Sequence, residues 1–206
     1  MADCCNDKAC EIDALRDRQS STLKTVLAVN AVMFVVELTA GLIGHSVSLV
    51  ADSLDMLGDA LVYGFSLYVV ARGAAMKASA ALFKGIIMAA FGMFVVGQAV
   101  YRIVYPQLPV FETIGVIGSL ALAANGLCFY LLWRHRADDI NMSSVWLCSR
   151  NDIIANVSVL FASAGVWFFH SGWPDILVGL ALAALFLRSA LSVLRDAIKE
   201  LEKTPV

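Results

Sequence analysis

Charge is scarce in this 206-residue sequence, where 16% of residues are charged against 60% hydrophobic, and the formal net charge is -2. With no basic excess there is no electrostatic footprint for nucleic acid, and with no acidic tail there is none for a strongly charged partner. Cysteine is thin as well. Cys4, Cys5 and Cys10 crowd the first ten residues, while Cys128 and Cys148 lie inside apolar runs, a distribution that excludes a disulfide framework. The amino terminus also lacks the uncharged apolar core of a signal peptide, since Asp3, Asp7, Glu11, Asp13 and Asp17 occupy its first 20 residues. The first apolar helix is therefore expected to be retained.

What the chain does have is long apolar sequence, more than a soluble domain of this size can hide from water. Runs of roughly 20 residues, the length that crosses a hydrocarbon core, fall near residues 22–44, 47–70, 81–104, 113–133, 143–169 and 174–195. They predict an all-α membrane protein of six transmembrane helices. Residues 1–21 form a cysteine-containing amino-terminal segment, 22–198 the membrane domain and 199–206 a short tail, with no soluble domain expected after it. Lys8, Arg16 and Arg18 precede the first run and Lys24 stands at its start, Arg72 and Lys77 follow the second, Arg134 and Arg136 the fourth, and Arg195, Lys199 and Lys203 stand at or after the end of the sixth. By the positive-inside rule both termini face the cytoplasm, in a multi-pass protein of the cytoplasmic (inner) membrane. Gly85, Gly92, Gly97 and Gly179 read as small residues for close helix packing.

The second run is costly to insert. Asp52, Asp55 and Asp59 lie within it, and each ionisable side chain costs about 2.5–3.5 kcal/mol at the centre of a span. At 100° per residue the three share a sector of about 60°. Counted from Ser48, Asp55 and Asp59 lie roughly 10–17 Å into the membrane. The fifth run repeats the device, with Cys148, Asp152 and Asn156 at successive i, i+4 positions and Asp152 roughly 15 Å deep. Asp55 and Asp59 can thus meet Cys148 and Asp152 near mid-membrane. Three carboxylates and a thiolate suit a four-coordinate borderline metal such as zinc. The same groups can carry protons, and because metal binding needs deprotonated ligands, proton uptake expels metal.

These residues resemble the cation diffusion facilitator family, which exports zinc and related ions in exchange for protons. The resemblance runs through Asn30, Glu37, Gly41 and Ser46, the stretch from Ser48 to Ala60 containing Asp52, Asp55 and Asp59, and Pro174-Asp175 before the sixth helix, and covers about residues 22–198. It implies the cation-efflux transmembrane fold, metal ligands at Asp55, Asp59 and Asp152, and a homodimer. Cys148 stands where the family usually has His, a softer ligand that favours zinc or cadmium over manganese. The cytoplasmic domain that most members carry is not expected here, so the chain reads as a short form. Metal ions, protons and lipid are the expected partners, and no prosthetic group is implied.

Glu37 and Asn30 share a face of the first helix and, with Asp52 and Asn156, are candidates for supporting the ligands or passing protons, helix packing being the alternative. Cys4, Cys5 and Cys10 are candidates for metal capture at the cytoplasmic mouth, though their spacing fits no firm zinc motif. Arg150 points away from Cys148 and Asp152 and is expected to reach the headgroups or Asp139. His45 and His170 read as loop residues at the outer ends. Two rival functions remain open at this point: a membrane metal sensor or scaffold that does not transport, and an intramembrane aspartyl protease, for which Leu57-Gly58-Asp59 is the nearest match.

Overall fold

The structure is a computed structural model that describes the backbone of residues 2–69, 74–133 and 140–203, and most side chains within 21–61, 82–131 and 152–199. The described residues form six α-helices: α1 (Ala2–Ile43), α2 (Val47–Val69), α3 (Ala74–Val104), α4 (Phe111–Trp133), α5 (Ile140–Phe169) and α6 (Trp173–Lys203). Five contain a stretch long and apolar enough to cross a bilayer, namely Lys24–Ile43, Gly85–Val104, Phe111–Leu131, Asp152–Phe169 and Trp173–Lys199. The remaining helix, α2, has 23 residues and the length to span. What sets it apart is Asp52, Asp55 and Asp59.

Helix ends do not coincide with hydropathy ends. The first helix starts at Ala2, the third at Ala74 rather than near 81, and the sixth continues to Lys203. Hydropathy marks the part of a helix that lipid would cover, whereas the i to i-4 ladder continues into polar sequence that nothing interrupts.

Apolar side chains fill the interior, yet unlike in a water-soluble bundle large ones also cover the outside and several acids and amides are buried. Val32, Val116, Phe161, Phe168 and Leu185 face outward, while Asn30, Glu37, Asp52, Asn125, Asp152, Asn156 and Asp175 are buried. An apolar solvent accounts for both halves of that pattern. The helices alternate in direction, and the α1–α2, α3–α4 and α5–α6 connections share one end. There Val110 N–H donates to the Gly44 carbonyl at 3.0 Å, and Gly172 lies against Gln107 and Pro109. At the centre α2 packs on α1, α3, α5 and α6.

The α1–α2 connection is short because both helices are capped within it. Ser46 N–H reaches back to the Gly41 carbonyl at 2.9 Å, the 6→1 bond of a Schellman ending, with His45 in the left-handed conformation at φ 60°. Ser46 then caps α2, its Oγ accepting from Leu49 N–H at 3.1 Å. Asp175, at the start of α6, closes the same site from across the bundle. Its carboxylate accepts from Ser46 Oγ at 2.6 Å, Val47 N–H at 2.6 Å, Ser48 N–H at 3.1 Å and Ser48 Oγ at 2.5 Å. A negative group at a helix amino terminus is favoured by the helix dipole as well as by these donors. Asp175→Ala should therefore lower unfolding stability in detergent by about 2–3 kcal/mol, the scale of hydrogen bonds to a charged group. Ser46→Ala should cost only about 1 kcal/mol, the usual loss of a cap. Equal losses in a chemical-denaturation comparison would show that Asp175 is not the main clamp.

Close packing explains three of the four glycines singled out in the sequence. A Cβ on Gly85 or Gly92 would fall 2.8 or 2.6 Å from Leu194 or Leu187, so α3 and α6 meet with leucines seated over glycines. Gly179 lets α6 approach the start of α2, where a Cβ would lie 2.6 Å from Val47. Gly97 differs from the expectation: nothing lies within 4 Å of its Cβ position, because it faces outward.

Candidate functional site

The acidic stripe of α2 faces α5, and since the two helices run in opposite directions their polar residues pair as rungs. At the rung nearer the α1–α2 end, Asn156 Nδ2 donates to both oxygens of Asp52, at 3.0 and 2.8 Å. About one turn further along, the carboxyl groups of Asp55 and Asp152 are in hydrogen-bond contact. Two carboxyls that meet in this way are held together by a proton or by a cation. Asp59 is one turn beyond Asp55 on α2, and Cys148 one turn beyond Asp152 on α5, so a third rung would fall there by register.

The Asp52 rung is oriented from a third helix. Asn125, buried in the largely apolar α4, donates from Nδ2 to Asn156 Oδ1 at 2.9 Å. With its carbonyl so engaged, Asn156 turns its amide donor toward Asp52. Sequence reasoning had no place for Asn125. Its signal is a lone amide inside a span whose one charged residue, Glu112, lies at its start, and it becomes informative only when its partner on α5 is known.

Asp52, Asp55, Asp59 and Asp152 line one cleft of about 520 Å³, whose remaining wall is largely apolar and includes Met88, Leu182, Leu185 and Phe186. Asp52 and Asp152 are buried, and Asp55 and Asp59 are half-buried. The cleft lies among α2, α3, α5 and α6. Such a half-open cleft can hold a small polar solute against carboxylates.

The other residues chosen from sequence fall around this cleft or outside the described residues. Glu37 is fully buried on α1, with Asp52 and Asp55 as charged neighbours. Asn30, two turns away on the same helix, donates to the Val26 carbonyl at 2.9 Å and faces Cys128 Sγ at 3.9 Å. Cys128 in turn lies near Asp59, a proximity that the spacing along α4 could not disclose. The backbone carries Cys148 and Arg150 on α5 and Cys4, Cys5 and Cys10 on α1, but their side chains lie outside the described residues, as does Asp139. Among the described residues, no group of three or more His, Cys, Asp or Glu converges to metal-binding distance. The described part of the site is a pair, Asp55 with Asp152, flanked by Asp52 and Asp59.

Comparison with known proteins bears on this arrangement. The chain is 25% identical over 203 residues to a cadmium, cobalt and zinc/H(+)-K(+) antiporter of Bacillus subtilis, covering 88% of this chain and 65% of the relative. It is 24% identical over 200 residues to the metal cation efflux system protein CzcD of Cupriavidus metallidurans, covering 87% and 63%, and 26% identical over 207 residues to the zinc transporter ZitB of Escherichia coli, covering 92% and 65%. It thus spans slightly under two thirds of the length of these relatives. The family model for the cation efflux transmembrane domain matches residues 23–201, which takes in every helix that contributes to the cleft. On that match the chain belongs to the cation efflux, or cation diffusion facilitator, family.

Proposed function

We propose that this chain exports divalent transition-metal ions from the cytoplasm in exchange for protons. Zinc is the principal cargo in this reading and cadmium or cobalt the alternatives. Asp55, Asp59, Asp152 and Cys148 are its metal ligands. The observation that carries the reading is the contact of Asp55 with Asp152 on a cleft walled by four carboxylates inside membrane-crossing helices. Carboxylates at that depth are costly unless a cation is their purpose. The names of the relatives, which include zinc transporters and a cadmium, cobalt and zinc antiporter, support the cargo class.

Exchange follows from the donor set. A metal displaces the proton that Asp55 and Asp152 share, and protons arriving from the far side displace the metal, so both ions compete for the same oxygens. In this reading both termini are cytoplasmic, the protein sits in the cytoplasmic membrane as a homodimer, and the cleft opens alternately to the two sides. Inside-out vesicles test it, with zinc, cadmium, cobalt, manganese and iron compared under an imposed pH gradient. Zinc uptake should rise when the lumen is acid, because luminal protons release the metal, and should slow when an ionophore collapses the gradient. Uptake indifferent to both would leave a channel or another driving ion, and no uptake would leave a sensor or scaffold.

A further inference from the structure

We propose that Glu37 is a separate carrier of the counter-proton, placed behind the metal site and connected to its cleft through Asp52. The inference rests on the transport reading above and adds a second ion-binding position to it. Glu37 is 0% exposed, and among the described residues neither Oε1 nor Oε2 has a hydrogen-bond partner. A buried carboxyl with no donor on either oxygen is rare, because desolvation is then uncompensated. Something that the protein's own hydrogen bonds do not supply must accompany it.

The surroundings identify what that is. Asp52 and Asp55 of α2 are the charged groups facing Glu37. The other helix packed on α1 is α4, which meets it through Ala121 and Ala124 near Met33 and has Cys128 as the titratable group at that contact, beside Asn30. Among the described residues, no cationic side chain stands with these neighbours. No space the size of a water molecule adjoins either Glu37 oxygen, so a hydrated ion has no room beside them. A proton needs none. Glu37 is also distinct from the metal ligands, since no hydrogen bond joins it to Asp55, Asp59 or Asp152.

Asp52 is the neighbour of Glu37 that also reaches the open cleft, with no hydrogen bond joining the two. It lines the cleft together with Asp55, Asp59 and Asp152, and Asn156 holds both of its oxygens as acceptors. A divalent ion bound at Asp55 cancels the negative charge that Glu37 faces and so favours release of the Glu37 proton by way of Asp52. By reciprocal linkage, a proton returning to Glu37 weakens metal binding. The metal site and the proton site are then coupled electrostatically without sharing a ligand.

The test counts protons. Purified wild type and Glu37→Gln are titrated with zinc in weakly buffered detergent solution, and both are reconstituted for zinc-for-zinc exchange and for pH-driven zinc accumulation. Glu37→Gln should still bind zinc and exchange zinc for zinc, while protons released per zinc fall by about one and pH-driven accumulation drops roughly tenfold or more. Glu37→Asp should restore the count with a shifted pH midpoint. An unaltered count with unaltered accumulation in Glu37→Gln overturns the assignment, and loss of zinc binding would instead make Glu37 part of the metal site. Should Glu37→Gln not fold, Glu37→Asp decides alone, since an unshifted midpoint of proton release overturns the proposal. Wild-type protein that neither takes up zinc nor releases protons would sink the transport reading itself, an outcome distinct from a failure confined to the variants.

Discussion

Asp152→Ala and Asp59→Ala should each abolish metal flux in proteoliposomes while leaving folded protein in the membrane. Loss of a group that merely orients a metal ligand typically costs 10–100-fold in affinity, so loss of a direct ligand should cost about 100-fold or more. Binding measured by titration should fall in parallel. The companion measurement is stability. A carboxyl at mid-membrane is a cost of about 2.5–3.5 kcal/mol on insertion scales, so its removal should leave unfolding resistance equal or raised if Asp152 exists for the cargo. If Asp152 is a packing group tied to Asp55, its removal should destabilise the protein and spare transport. Flux at the wild-type rate from either variant would mean that the metal site is misplaced.

The two kinds of information that located this site were unequally available in the sequence. Asp52, Asp55 and Asp59 on one face of α2, and Asp152 with Asn156 on one face of α5, follow from helical periodicity and the expense of acids in an apolar run. That the Asp55/Asp59 stripe could meet the Cys148/Asp152 stripe was legible from their matching depth, but not that Asp55 would be the partner of Asp152. Register at finer scale was not: Asn156 belongs to Asp52, and that depends on how α5 slides against α2. Contacts between residues far apart in sequence were also invisible. Asp175 marked the start of α6 and fitted the family pattern, yet its service as the clamp on Ser46, Val47 and Ser48 requires the ends of α2 and α6 to be adjacent. The polar amino-terminal segment gave no sign that α1 begins at Ala2, because helix continuation in water depends on backbone bonding and not on hydropathy. The protease alternative, open on the aspartate spacing alone, loses its support once the chain is placed in a transporter family.

Cys148 is where the cargo preference should be written. It precedes Asp152 by one turn of α5, where register would set it at the level of Asp59 on α2, and it stands where the family resemblance leads one to expect His. A thiolate is a softer donor than imidazole and holds cadmium better relative to zinc, whereas a serine hydroxyl is a poor ligand for either. Cys148→His should shift preference from cadmium toward zinc. Cys148→Ser should weaken cadmium more than zinc, with the ratio of the two affinities changing by about tenfold, or roughly 1.4 kcal/mol. A thiol must also lose its proton to bind, so zinc binding to Cys148→Ser should release about one proton fewer than in wild type. Cys148→Ser and Glu37→Gln would then both lower the proton count, but only Cys148→Ser changes the ratio of cadmium to zinc. Competitive titration of the purified proteins with both ions measures that ratio directly. If wild type, Cys148→His and Cys148→Ser share one ratio, the thiol is not a ligand, and Asp55, Asp59 and Asp152 must complete the metal's coordination with water or another group of α5.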